Sequence, residues 1–142
     1  MATSPTAKAL LSTYLENISN PELVLDLFAD DATIELPYLK SLGRPWQWQG
    51  KEVLYPFFKG LSTTFQGFEF QNIVIHIETP EQVFGEYEVH GTFLPTGRPY
   101  HQLYMGRLVA ENGKIKLLRE AMDLAQVAKA SFPNGIQDLA GH

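Results

Sequence analysis

A chain of 142 residues without a single cysteine fits one domain, large enough to bury a continuous core with neither disulfides nor cysteine-held metal. A net charge of -5 and the lack of clustered Lys or Arg argue against nucleic acid as a partner. The N-terminal segment has no long apolar run, so neither a secretory signal nor a membrane span is expected, and a soluble cytoplasmic protein is.

Ala7, Leu10, Leu11, Tyr14, Leu15 and Ile18 recur at helical spacing and predict an amphipathic helix with Tyr14 on its buried side. Asn20-Pro21-Glu22 then supplies a cap, a proline at the first helical position and an early acid. These start a second helix that runs through Phe28 and ends near Asp30-Asp31. Residues 32–36 alternate as a strand covered on one side by Ala32, Ile34 and Leu36, and Pro37 stops it. Residues 37–50 show no period and read as a loop, in which Trp46 and Trp48 either fill a gap or form a lid over a cavity mouth. Val53, Leu54, Phe57, Phe58, Leu61 and Phe65 return to helical spacing. Pro56 kinks this third helix or marks its first turn.

Residues 69–78 and 83–93 alternate as two strands joined by a Thr79-Pro80-Glu81 turn. In the first, Ile73, Ile75 and Ile77 share a face. In the second, Val83, Tyr87, Val89 and Phe93 share one face, and Glu86, Glu88 and His90 lie on the other, the solvated or dimer-facing side. No second cluster completes a metal site there, so no metal is expected. Residues 98–123 form a hairpin about Asn112-Gly113, the dipeptide best suited to the positive φ angles of a tight turn. A helix over 124–130 and a surface tail over 131–142 close the chain, with the domain core at about 7–130.

On the second arm of that hairpin Leu118, Glu120 and Met122 share a face, which sets a carboxylate between apolar side chains. Glu120 is then either an exposed acid paired with a lysine or, if the face lines a cavity, a desolvated acid able to exchange protons near neutral pH. A two-residue turn places it opposite Met105. A three-residue turn with a bulge places it opposite Tyr104 and beside Gln102, which gives it a polar partner.

Three helices interrupted by one strand, followed by a meander of strands, predict an α+β fold. With the helices gathered on one side, the sheet is expected to curl around them and leave a cone-shaped cavity between.

The segment from Leu27-Phe28-Ala29-Asp30-Asp31 to Glu35, the helix start Gly50-Lys51-Glu52, the Thr96-Gly97-Arg98-Pro99-Tyr100 turn and Asn112-Gly113-Lys114-Ile115 before Arg119-Glu120 resemble a SnoaL-like domain. These domains belong to the nuclear-transport-factor-2-like superfamily, with ketosteroid isomerases and polyketide cyclases. The C-terminal half, in particular Glu86-Tyr87-Glu88-Val89-His90-Gly91, is most similar to the phenazine-biosynthesis A/B proteins. The resemblance implies a conical barrel, its curved mixed or antiparallel sheet wrapped around the three N-terminal helices, with a homodimer packed through the outer face of the sheet and a ligand pocket inside the cone. It also implies that Tyr14 stands where the isomerases carry their oxyanion-donating tyrosine, Leu36 where they carry the aspartate base, and Glu120 where the phenazine proteins carry an acid. Phe57 and Leu61 replace the histidine and serine of that pocket, which points to a more apolar substrate.

The expectation is therefore a small-molecule pocket protein with Glu120 and Tyr14 as catalytic groups. Leu36, Trp46 and Trp48, Phe57, Phe58 and Leu61, Tyr87, Gln102, Tyr104 and Met105, and Leu118 and Met122 are its substrate-binding candidates. Isomerisation, cyclisation or dehydration of a hydrophobic or aromatic metabolite needs a poised proton carrier and no cofactor. The alternatives are a non-catalytic dimeric binder of a lipophilic molecule, and an interaction domain whose cavity is plugged by Phe57, Phe58, Trp46 and Met122.

Overall fold

A computed structural model describes residues 4–141. Helix α1 (Ala7–Glu16) starts at Thr6, whose hydroxyl accepts from the Ala9 amide, and buries Leu10, Leu11, Tyr14 and Leu15. Helix α2 (Pro21–Asp26) opens on the Asn20 cap but stops sooner than its sequence suggests, because strand β1 (Phe28–Glu35) has already begun. Tertiary contacts decide this. Phe28 is fully buried with its ring 5.8 Å from Tyr14 and 5.5 Å from Phe58, and it pairs with Ile115. The Lys114 ammonium donates to the Asp26 carbonyl at 2.6 Å and so satisfies the helix end.

The segment expected as a loop folds into a 3-10 turn (Pro37–Leu42) and a short strand β2 (Gln47–Gln49) antiparallel to β1. Helix α3 (Lys51–Thr64) carries Pro56 in its interior on the exposed side and runs directly into β3 (Phe65–Gln66). Strands β4 (Phe70–Glu78), β5 (Gln82–Phe93), β6 (Arg98–Glu111) and β7 (Lys114–Met122) complete a seven-stranded sheet. Its order is β2-β1-β7-β6-β5-β3, with β4 also on β5. The β1–β7 pair is parallel and the remaining pairs are antiparallel, so the curled sheet is mixed. The expected alternation of β4 fails. Asn72 sits at φ 53 and two register shifts against β5 break the period, leaving Ile73, Val74 and Ile77 exposed.

Helix α4 (Leu124–Ser131) closes the open side of the sheet, and a 3-10 segment (Gly135–Gly141) follows it. Both its ends are tied to β6 or its approach. At the start, Gln102 accepts from the Asp123 amide at 2.6 Å and donates to the Asp123 carbonyl at 3.0 Å. At the end, the Arg98 guanidinium donates to the carbonyls of Lys129, Phe132 and Pro133, and the Thr96 hydroxyl donates to that of Ala130. Among the described residues no helix is long and apolar enough to cross a membrane.

Candidate active site

The β6–β7 hairpin sets the site. Asn112-Gly113 forms a two-residue turn with Glu111 opposite Lys114, but one extra residue, Lys116, bulges from β7. It leaves the ladder and forms an ion pair with Asp31. Every later pair shifts, so Glu120 lies opposite Gly106, and neither expected register is the observed one. The shift gives the carboxylate a partner neither of those registers supplies. Tyr87 on β5 reaches across Gly106, and its hydroxyl donates to Glu120 Oε2. A Cβ at position 106 would collide with that hydroxyl and stand 3.1 Å from Glu120 Cγ, so the side-chain-free residue is what lets the two meet.

Glu120 is only 5% exposed, yet it forms part of the wall of an open cavity of about 310 Å³. Burial pushes its pKa from 4.5 up to about 7, against the smaller, lowering effect of the Tyr87 bond. Its second oxygen, Oε1, has no hydrogen-bond partner among the described residues. Tyr14 on α1 lines the same cavity, and its hydroxyl likewise has no partner among the described residues. Burial, and then the charge of Glu120, pushes the Tyr14 phenol well above its usual range, so it remains a neutral donor. Tyr104 lines the cavity too, with its hydroxyl 2.9 Å from that of Tyr100, and burial raises both phenols.

The remaining wall is apolar. Leu36, Trp48, Phe57, Leu61 and Met122 line it, and Trp48 and Phe57 pack with ring centroids 4.6 Å apart. The plugged-cavity alternative therefore fails, since these rings border open space. Several candidates lie elsewhere. Trp46 sits beneath the Lys40 ammonium at 5.8 Å and is not on the cavity wall. Phe58, Leu118 and Tyr87 are fully buried in the core behind the wall. Met105 faces the opposite side of the sheet and is 40% exposed, since the alternation of β6 turns Gln102, Tyr104 and Gly106 inward. Gln102 is consumed by the Asp123 backbone and gives Glu120 no hydrogen bond. The lining also includes Arg44, Phe65, Phe68, Phe70, Phe93 and Tyr100, absent from the sequence-based candidates. Of these, Tyr100 was legible by alternation with Gln102 and Tyr104, whereas Arg44 lies in a segment without period.

Glu86, Glu88 and His90 occupy the outer face, where His90 contacts Glu88 at 3.2 Å and His76 contacts Glu86 at 3.2 Å. Among the described residues no group of acids and histidines is placed to hold a metal ion.

A curled mixed sheet with helices over its concave face and a cavity between them is the nuclear-transport-factor-2-like α+β fold. The chain belongs to the SnoaL-like domain family, which it matches over residues 13–118. Similar solved structures include a candidate isomerase from Bacillus subtilis, at 22% identity and TM-score 0.78, covering 87% of this chain and 91% of that one. A phenazine biosynthesis-related protein from Pseudomonas aeruginosa is 23% identical, with TM-score 0.76 and coverage of 87% and 83%. A candidate polyketide cyclase from Pseudomonas putida KT2440 is 17% identical, with TM-score 0.75 and coverage of 88% and 97%. No curated protein matches the chain.

Proposed function

We propose that this protein is a cofactor-independent isomerase, cyclase or dehydratase acting on a hydrophobic or aromatic metabolite, with Glu120 as general acid and base. The observation that carries the reading is one carboxyl, buried in an apolar cavity wall, held by a single phenol and poised at a pKa of about 7. Such a group is half ionised near neutral pH and can both take and return a proton. In this reading Oε1 removes a proton from carbon beside a substrate carbonyl. The Tyr14 hydroxyl donates to the oxygen on which negative charge develops, and Glu120 returns the proton to a new position. The surrounding apolar side chains keep water from competing for it. A candidate isomerase and a candidate polyketide cyclase among the structural neighbours share the fold, in line with this class of reaction.

The test follows deuterium exchange from heavy water into the α-carbon of cyclic enones and 1,3-diketones. Exchange accelerated by the wild type should fall by about 100-fold or more in Glu120→Gln and by a smaller factor in Tyr14→Phe, with ligand affinity retained. Ligands that bind equally to wild type and Glu120→Gln without any acceleration would leave a non-catalytic binder, the reading that the apolar lining by itself favours. Two copies are further proposed to pair through the outer sheet face, where Val74, Ile77, Leu103 and Met105 are exposed.

A further inference from the structure

Among the described residues, Glu120 and Arg44 are the only charged side chains in the cavity lining. The Arg44 guanidinium lies over the Phe132 ring at 4.7 Å and has no carboxylate partner among the described residues. Its backbone is fixed by the left-handed Gly43 at φ 68 and by its own N–H, which donates a hydrogen bond to the Leu39 carbonyl at 3.2 Å, so the cation is presented from a built turn. Burial alone pulls the Arg44 pKa down, as for a cation that has lost water and gained no counter-charge. A partly desolvated guanidinium beside aromatic and aliphatic walls is costly unless something completes it.

We infer that Arg44 is an anion-recognition residue, and that the ligand is an apolar or aromatic carboxylate whose charged end pairs with Arg44 while its body fills the cavity. This rests on the proposed small-molecule reading and narrows its substrate class. A planar guanidinium with one face on an aromatic ring keeps its edge N–H groups free for two parallel bonds to a carboxylate. A single cation matches a monoanion, whereas a phosphate dianion asks for more donors than the apolar wall supplies. Elsewhere the net charge of -5 repels anions, so the preference must come from this residue.

The experiment compares 2-naphthoate with its uncharged analogue of like shape, 2-naphthamide, by calorimetry at about pH 6, where Glu120 is largely protonated. Wild type should bind the carboxylate about ten-fold or more tighter than the amide, a preference that Arg44→Gln abolishes and Arg44→Lys keeps in part. Unchanged amide affinity in Arg44→Gln shows that the variant still folds and keeps its cavity. Equal affinity for both probes in the wild type, or a carboxylate preference that survives Arg44→Gln, would overturn the assignment of Arg44 and leave the pocket reading standing. Binding of neither probe would overturn the pocket reading and this inference with it.

Discussion

A carboxyl held near neutrality affects stability as well as chemistry. Because the folded pKa of Glu120, about 7, lies above its usual 4.5, the folded state binds more protons than the unfolded state across that interval. The protein therefore has its full stability with respect to this group below pH 4.5 and loses it as the pH rises through 7. Glu120→Gln keeps an acceptor for Tyr87 and removes the titration. Its stability relative to wild type should rise between those limits by up to about 3 kcal/mol, read from urea unfolding at a series of pH values. A wild-type and variant pair with parallel pH profiles would mean that the carboxyl is not desolvated in the folded state. That Glu120 is an acid flanked by apolar neighbours was legible in Leu118-Arg119-Glu120-Ala121-Met122. Its partner Tyr87 was legible only as an inward-facing residue, because their meeting depends on a bulge that no local pattern announces.

At the scale of elements, the β6–β7 hairpin does most to position chemistry. Its turn was visible in Asn112-Gly113, and its strands in their alternation. The register depended on Lys116, which leaves the ladder to meet Asp31 on β1, a contact between residues far apart in the chain. Gly106 is the residue on which that register acts. Gly106→Ala should drive a methyl group into the Tyr87 hydroxyl and destabilise the fold by about 1–3 kcal/mol. It should also separate Tyr87 from Glu120, so the carboxyl signal in carbon NMR should titrate differently from wild type. A variant of full stability with an unchanged titration would show that the two strands have room to spare. The second helix and the β4 strand show where sequence patterns mislead. Phe28 continues a helical stripe yet is drawn into the sheet by Tyr14, Phe58 and Ile115. The isoleucines of β4 alternate on paper while the backbone at Asn72 does not.

For the whole molecule, the two faces of the sheet divide the work. The concave face holds the cavity, and the convex face exposes Val74, Ile77, Leu103 and Met105 among acids and histidines, including the His90 and His101 rings 4.9 Å apart. Pairing of two copies across this face predicts a dimer by light scattering, and a Leu103→Glu, Met105→Glu double variant should elute as a folded monomer. A wild type that is monomeric at high concentration, or a variant that remains dimeric, would move the interface elsewhere or remove it. The cone-shaped α+β layout followed from element order alone. The closing of its open side by α4 did not, since it depends on Gln102, Thr96 and Arg98 reaching backbone groups more than twenty residues away.

Those ties have one more consequence. With both termini of α4 fastened to the sheet, the helix is a riveted panel, and Val127 and Ala130 on its inner side border the ligand space without being free to swing away.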